Sequence, residues 1–340
     1  MKKAVILFNL GGPDSLDAVQ PFLFNLFNDP AIISLPGIFR YPLAKFISKR
    51  RTPVAKAIYA EMGGRSPILE ETQKQADAIE KSLEQENDEY RCFIVMRCWN
   101  PRAVDVIKKV KNYNPQQIIL LPLYPQYSNA TSGSSIKEWS DICRKENLNV
   151  ETKTICCYPT EKDFILSYSN LIKEKIDLDK LNETTLIFSA HGLPENKIKG
   201  GDPYQWQVEL SVKELVDKLS IKNLNYILSY QSRVGPLKWI GPSTEKVIKD
   251  EAKKQKIIIV VPVAFVSEHS ETLVELDIEY RQLAEKNGSK GYIRVPAVTV
   301  NKDFINSLKS SILQASNGQR FTSSIKCPGK FKKCPRIQSL

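Results

Sequence analysis

Short apolar runs alternate with longer amphipathic segments through most of this chain. Eight runs of six to ten residues, rich in β-branched and other apolar residues, span residues 4–10, 91–96, 117–123, 150–155, 185–190, 225–230, 256–265 and 291–297. The intervening segments, such as 66–85 and 195–219, repeat apolar residues at helical spacing and carry the candidate N-terminal caps Ser66 and Asp202. This alternation of strands and helices predicts parallel sheets covered by helices on both faces.

The eight runs divide into two sets of four near residues 150–180. The sequence therefore predicts an α/β fold with an N-terminal domain over 1–150, including a lip at about 30–66, and a C-terminal domain over 151–315. A basic tail over 316–340 follows. A dinucleotide site is disfavoured, because the Gly11-Gly12 pair lacks the G-x-G-x-x-G pattern and no phosphate-binding loop occurs elsewhere.

Polar or turn-rich motifs follow the predicted strands. They are NLGGPDS, MRCWNP, PLYPQYSNATSG, SAHGLP, SYQSRVGPLKWIGPST and VSEHSETL. In open parallel sheets, ligands bind beyond the carboxyl ends of the strands. We therefore expect these motifs to converge on one cleft.

The formal net charge of +11 is concentrated in two segments. Residues 30–60 hold six cations and no acid, and residues 326–336 hold five cations and no acid. Because the rest of the chain is neutral in total, the charge indicates two local surface patches and argues against a nucleic-acid partner.

Targeting and redox features favour a cytoplasmic location. Only about seven apolar residues precede Gly11 and no small-residue cleavage site follows, so no signal peptide is expected. The longest apolar run, 257–266, contains a proline and is half as long as a membrane-spanning helix. The seven cysteines suggest no disulfide framework, and Cys327 and Cys334 lie too far apart in sequence for common zinc or iron–sulfur spacings.

Residues 32–53 mix isoleucine, leucine, phenylalanine and tyrosine with cations. Helical order is expected to break at Pro36, Gly37 and Pro42, which predicts an exposed apolar lip. The segment is either an ordinary solvated loop or a surface that contacts anionic lipid or an apolar, carboxylated ligand.

The chemistry-bearing residues cluster in SAHGLP and VSEHSETLVELDIEY. These motifs contain the two histidines of the chain, His191 and His269. Glu271, Glu275 and Glu279 are four residues apart, so in an α-helix that starts near Ser270 they lie along one side, with a drift of about 40° per step. We call these three glutamates the acidic ladder; a solvated surface helix could carry such a ladder without a function. A partly buried ladder would need cations, and divalent metals match a combination of carboxylate and imidazole.

Eight motifs between residue 4 and roughly residue 300 are distinctive: LFNLGGPDS, KRRTP, GGRSPI, LPLYPQYSNATSGSS, SAHGLP, GDPY, SYQSRVGPLKWIGPST and VPVAFVSEHSETLVELDIEY. Together they resemble the motifs of the ferrochelatase family, class II-type chelatases. The resemblance implies two Rossmann-like domains, each with a four-stranded parallel sheet, and a porphyrin cleft between them. It also implies insertion of ferrous iron into protoporphyrin IX, the last step of heme biosynthesis, with release of two protons and no required cofactor.

The resemblance assigns expected roles to individual residues. His191 and Glu271 match the catalytic and metal-binding pair, and Glu275 and Glu279 match an acidic path for protons or metal. His269 matches a position near the site whose role stays open. The expected porphyrin-binding residues are Leu10, Arg51, Tyr59, Ser66, Arg97 and Trp239, with Cys98 where an aromatic residue is often found.

Several alternatives follow from the same resemblance. The substrate could be coproporphyrin, the metal could be cobalt, or the protein could be a non-catalytic heme carrier, although a carrier needs no acidic ladder. A [2Fe–2S] cluster is expected to be absent, because the tail has two cysteines and Asn129 stands where related proteins have the internal cysteine ligand. The basic lip predicts peripheral contact with the inner face of the cytoplasmic membrane.

Overall fold

The computed structural model describes residues 1–232 and 237–338 and contains two parallel sheets. The nine strands are β1 (Lys2–Asn9), β2 (Glu89–Met96), β3 (Gln117–Pro122), β4 (Glu151–Cys157), β5 (Thr184–His191), β6 (Tyr226–Gln231), β7 (Ile257–Pro262), β8 (Gly291–Arg294) and β9 (Phe321–Ser323). One sheet has the order β2-β1-β3-β4-β9 and the other the order β6-β5-β7-β8. All eight predicted strands are present, in the predicted sets.

Helices connect the strands. They are α1 (Val19–Phe27), α2 (Gly37–Ala60), α3 (Ile68–Leu83), α4 (Ala103–Tyr113), α5 (Ser132–Lys145), α6 (Lys162–Lys173), α7 (Glu195–Lys199), α8 (Tyr204–Leu219), α9 (Thr244–Lys253), α10 (Tyr280–Lys286), α11 (Lys302–Asn317) and α12 (Pro335–Gln338), with a 3₁₀-helix at Leu178–Glu183 and a π-helix at Glu271–Glu279. Within the described residues, none of these helices is long and apolar enough to cross a membrane.

The chain forms two compact units. The first contains Met1–Cys157 and Leu308–Ser323, and the second contains Tyr158–Ser307 and the residues from Ser324 onward. In the first unit, seven of the eight residues of β1 are buried, and in the second the first seven residues of β5 are buried. Central strands buried on both faces explain the continuous apolar runs in the sequence.

The first sheet has five strands, one more than the four expected. β9 is three residues long, contains two hydroxyl side chains and is only partly buried, so its sequence lacks the apolar pattern of the other strands. It pairs in parallel with β4, where the register shifts between Ile155 and Cys157.

The segment 195–219 forms two helices, and the second starts just after the predicted cap Asp202. The chain between α7 and α8 contains Gly201, whose φ of +92° is readily adopted only by glycine. Asp202 then accepts a hydrogen bond from the backbone N–H of Tyr204 at 3.0 Å, at the start of α8.

The helical break predicted at Pro42 is wrong, because α2 continues through Pro42 and Pro53, whereas Pro36 lies just before the helix, which starts at Gly37. Proline in a helix interior removes one backbone hydrogen bond, and the carbonyl left without that bond by Pro42 belongs to Ile38. Ile38 is 78% exposed, so water can satisfy this carbonyl. Phe39 and Phe46 are also exposed, so the expected apolar surface is present on a helix.

Candidate active site

His191 is the last residue of β5, and its backbone is held from two directions. Tyr204 Oη donates a hydrogen bond to the His191 carbonyl at 3.0 Å. The next N–H, of Gly192, donates to the carbonyl of Gln231 at 2.9 Å. A Cβ atom at Gly192 would lie 2.8 Å from that carbonyl oxygen and 3.3 Å from the ring of Trp239, so only glycine allows this close approach. The structure thus brings Trp239 beside Gly192, the residue that follows His191.

The three glutamates lie on a π-helix, not on the predicted α-helix. Its bonds run from residue i to residue i+5, and one of them joins the Tyr280 N–H to the Glu275 carbonyl. Buried Thr272, Val274 and Leu276 hold the opposite side of the helix in the protein interior.

His191 and Glu271 form a direct pair: His191 Nδ1 lies 2.8 Å from Glu271 Oε2. Burial alone would lower the pKa of His191, but the charge and hydrogen bond of Glu271, together with the charge of Glu275, raise it above its ordinary value. Burial would raise the pKa of Glu271, but His191 and the nearby His269 lower it. The pair therefore favours an imidazolium next to a carboxylate.

Glu275 is surrounded by hydrogen-bond donors. Its Oε2 accepts from Gln231 Nε2 at 3.0 Å and Ser232 Oγ at 2.6 Å, and its Oε1 accepts from the Ser232 N–H at 3.0 Å and Tyr280 Oη at 2.8 Å. Burial and the negative charge of Glu271 nevertheless raise the pKa of Glu275. Two neighbouring carboxylates thus have pKa values displaced in opposite directions, which is typical of functional sites.

Ser232 also touches both glutamates, because its Oγ lies 3.1 Å from Glu271 Oε2 as well as 2.6 Å from Glu275 Oε2. Its φ of +61° is uncommon for a residue other than glycine and marks a constrained backbone. Gln231 and Ser232 are not among the site residues predicted from the sequence. Their signal was the motif SYQSRVGPLKWIGPST after β6; residues 233–236 of that motif lie outside the described residues.

A cavity of about 340 Å³ adjoins the ladder within the second unit. Its lining includes Glu275 and Glu279 together with Glu245, Tyr230 and Tyr280. The carboxylates of Glu275 and Glu279 therefore border a space that can admit water or an ion. A larger cavity of about 890 Å³ lies in the first unit and is lined by none of the predicted site residues.

The two other carboxylates near His269 are held by arginines. Glu268 accepts from Arg294 Nη1 at 2.9 Å and from the backbone N–H of Ala297 at 3.0 Å. Asp277 pairs with Arg281 at 2.7 Å. His269 Nδ1 donates to the Ser267 carbonyl at 3.1 Å. These contacts anchor both ends of the π-helix, so only part of the acidic cluster is available for chemistry.

In the first unit, the structure brings Leu10, Tyr59 and Cys98 into one cluster after β1. The Cys98 N–H donates to the Leu10 carbonyl at 2.8 Å. Ser66 packs closely against Gly12, where a Cβ atom would lie 2.5 Å from the serine side chain. Four of the predicted positions of this unit, counting Cys98, therefore lie on or next to the loop after β1.

The remaining two arginines differ in their environments. Arg51 is exposed on α2. The guanidinium of Arg97 is mostly buried and bonds to Asp29 Oδ2 at 3.0 Å, to Glu138 Oε1 at 3.2 Å and to Ser134 Oγ at 2.7 Å. The structure therefore leaves the Arg51 side chain accessible and holds the Arg97 side chain in one position.

Known proteins resemble this chain over nearly its whole length. The Ferrochelatase family model matches residues 2–316. The chain is 63% identical over 342 residues to the ferrochelatase of Pelagibacter ubique (strain HTCC1062), covering 98% of both chains. It is 50% identical to the ferrochelatase of Rickettsia bellii (strain OSU 85-389), covering 97% of this chain and 94% of that protein.

Among solved structures, SirB from Bacillus subtilis with Fe3+ has a similar fold, with a TM-score of 0.53 at 11% identity over 93% of this chain and 96% of that chain. This likeness and the two helix-flanked parallel sheets confirm the predicted α/β class. The extended match to the family model and the high identity to its members lead to one assignment: the chain belongs to the ferrochelatase family.

Proposed function

We propose that this protein inserts ferrous iron into protoporphyrin IX to give protoheme, with release of two protons, as the last step of heme biosynthesis. Membership of the ferrochelatase family makes it an enzyme that inserts iron into a porphyrin. The observation that carries the finer proposal is the contact of 2.8 Å between His191 and Glu271, with Glu275 close behind it.

His191 is proposed as the acceptor of the pyrrole protons. Its Nδ1 faces Glu271, so Nε2 is the ring nitrogen left to take a proton from the porphyrin. Each proton that leaves a pyrrole nitrogen protonates the imidazole, and Glu271 stabilises the resulting imidazolium. The nitrogen lone pair that remains on the pyrrole binds the metal.

The protons are proposed to leave through the acidic ladder. Glu271 and Glu275 are both within hydrogen-bonding distance of the Ser232 hydroxyl, and Glu279 lies further along the same helix at the 340 Å³ cavity. A hydroxyl can accept a proton from one carboxylic acid while donating its own to the other carboxylate. This arrangement gives a path from the imidazole toward solvent.

The same pair can bind iron in an alternative role. Imidazole nitrogen and carboxylate oxygen both suit ferrous iron, so His191 and Glu271 are also the proposed ligands of the arriving metal ion. One nitrogen cannot hold a proton and the metal at once, so metal binding by His191 is an alternative to proton acceptance at that atom. No redox cofactor enters this chemistry, and the two-cysteine tail and Asn129 favour a protein without an iron–sulfur cluster.

The porphyrin is proposed to contact Leu10, Tyr59, Ser66, Arg97 and Trp239, with Arg51 toward its carboxylates. Support comes from the grouping of Leu10, Tyr59 and Ser66 in the first unit and from the position of Trp239 beside Gly192, the residue after His191, in the second. Protoporphyrin carries two carboxylates and coproporphyrin carries four, so a coproporphyrin site would need more cations.

A substrate assay tests the proposal. The purified protein is mixed anaerobically with ferrous iron and either metal-free protoporphyrin or metal-free coproporphyrin, and the metalloporphyrin spectrum is followed. We expect turnover with protoporphyrin at a higher kcat/KM. Faster turnover of coproporphyrin, or of cobalt in place of iron, would favour the corresponding alternative. A spectrum that changes only when heme is added would indicate a heme carrier.

A peripheral membrane position on the inner face of the cytoplasmic membrane is a separate proposal. Exposed Ile38, Phe39 and Phe46 share α2 with the cations Lys49 and Arg50. Apolar side chains next to cations fit the headgroup region of an anionic bilayer.

A further inference from the structure

Gln231 is the last residue of β6 and its side chain is buried, with 1% of the residue exposed. Its Nε2 donates to Glu275 Oε2 at 3.0 Å and lies 3.5 Å from the backbone carbonyl of Glu271. One amide group therefore faces both the side chain of one ladder residue and the backbone of another. The proton-transfer scheme above gives this residue no part.

A buried set of hydroxyl groups fixes the orientation of that amide. Ser189 Oγ donates to Gln231 Oε1 at 2.7 Å. Thr244 Oγ1 lies 2.9 Å from Ser189 Oγ and 2.9 Å from Ser229 Oγ. All four residues are at most 1% exposed. The Glu271 carbonyl can only accept hydrogen bonds, as can Glu275 when it is ionised, so the NH₂ group of Gln231 faces both of them and its oxygen faces Ser189.

The orientation of the Gln231 amide affects the proposed proton path through Ser232. The Ser232 hydroxyl has one proton and two carboxylate neighbours, Glu271 and Glu275. The transfer path requires Glu275 Oε2 to stay near Ser232 Oγ, at 2.6 Å. Gln231 bonds to that same oxygen, so it opposes rotation of the carboxylate away from the hydroxyl. Tyr280 restrains the other oxygen from the far side.

We propose that Gln231 is a positioning residue for metal insertion: its buried amide, oriented by Ser189, holds the Glu275 carboxylate in the geometry that connects Glu275 to Ser232 and Glu271. This inference rests on the proposed function. It concerns a residue that touches neither the porphyrin nor the reacting pyrrole protons, and that acts through Glu275.

A double-mutant cycle separates this role from a general structural one. Gln231→Met, Glu275→Gln and the double variant are compared with the unaltered protein for kcat and for porphyrin KM, with ferrous iron and protoporphyrin. We expect Gln231→Met to lower kcat about tenfold, the low end for residues that orient a reacting group. Porphyrin KM should change by less than about twofold. In the Glu275→Gln background the same change should have little further effect, because its partner is already altered.

Two further variants keep the test decisive. Ser189→Ala keeps Gln231 but removes the hydroxyl that orients it, and should lower kcat about threefold even if Gln231→Met does not fold. Gln117→Met changes a buried glutamine of the other unit, which contacts Glu151 and Ser316, and should keep kcat.

Equal losses from Gln231→Met in both backgrounds, or full kcat in a folded Gln231→Met or Ser189→Ala protein, would overturn the role of Gln231 alone. An unaltered protein that inserts no metal into any porphyrin would overturn the proposed function, and this inference with it.

Discussion

The hydroxyl of Ser232 lies between two carboxylates and has one proton to donate. At any moment this hydroxyl can donate to Glu271 or to Glu275, but not to both. Its contact with the other carboxyl group is favourable only when that group is protonated and donates a hydrogen bond to the hydroxyl oxygen. The raised pKa of Glu275 and the lowered pKa of Glu271 make Glu275 the better holder of that proton. A proton that starts on His191 can therefore reach Glu275 without rearrangement of heavy atoms.

Removal of this hydroxyl is expected to slow turnover. Ser232→Ala should lower kcat about 10- to 100-fold, since it breaks the contact between the two carboxylates and leaves porphyrin binding intact. Steady-state kinetics with ferrous iron and protoporphyrin measures the effect. Ser220→Ala is the matched control, because Ser220 has a similar φ of +54° and is exposed at the end of α8. Equal kcat values for the two variants would contradict a role for the hydroxyl.

The pH dependence of turnover is expected to follow His191. The imidazole must be neutral to accept a proton, and its pKa is raised, so kcat/KM should rise with pH through a value above the ordinary histidine pKa. Glu271→Gln removes the main cause of the increase and leaves burial, which lowers the pKa. The acidic limb should therefore move to lower pH while the maximum rate falls. A pH–rate profile that keeps its acidic limb in place would indicate that another group titrates.

Part of this site could be predicted from residue identity alone. The chain has only two histidines, and His191 follows a strand at the end where ligands bind. Gln231 and Ser232 could not be singled out, because glutamine and serine are common at strand ends. Their importance comes from tertiary contacts with a helix about forty residues later.

At the scale of elements, the π-helix is the main departure from the sequence-based expectation. Glutamates at 271, 275 and 279 lie along one side of an α-helix or of a π-helix, so their spacing does not distinguish the two. We attribute the π-helix to its packing. Leu276 is fully buried in the core of the second unit, and the Tyr292 hydroxyl donates a hydrogen bond to the Leu276 carbonyl. Such contacts are invisible in a local pattern.

The sequence predicts a break at Pro42 because proline in a helix interior removes a backbone hydrogen bond and costs about 3 kcal/mol. The helix α2 nevertheless continues through Pro42, and water can reach the exposed turn near Ile38. The resulting 24-residue helix presents apolar and basic side chains together.

This surface leads to a prediction about lipid binding. The triple change Lys49→Gln, Arg50→Gln and Arg51→Gln should weaken the affinity for anionic vesicles, measured by co-sedimentation at low salt, by roughly 100-fold, because each cation near such a surface contributes about 1 kcal/mol. The triple change Lys330→Gln, Lys332→Gln and Lys333→Gln removes the same charge from the tail and should have a smaller effect. Vesicle binding that survives the first change would show that α2 is not responsible.

At the scale of the whole molecule, the α/β class and all eight predicted strands followed from sequence. The signal is clearest in strands such as β3 and β7, which are buried and carry unbroken apolar runs. The ninth strand did not, because three partly buried residues carry too little pattern. The chain also returns to the first unit at Leu308, within a helix whose apolar spacing gives no sign of the change.

The central claim is that His191, supported by Glu271, performs the step that allows iron to enter the porphyrin. The most direct measurement is metal insertion by His191→Ala, with porphyrin affinity measured in parallel by fluorescence quenching. His269→Ala, the change at the other histidine, serves as the comparison. The account predicts unchanged porphyrin affinity and at least a roughly 100-fold lower kcat for His191→Ala, with a smaller loss for His269→Ala. Normal porphyrin binding with undiminished turnover in His191→Ala would contradict it.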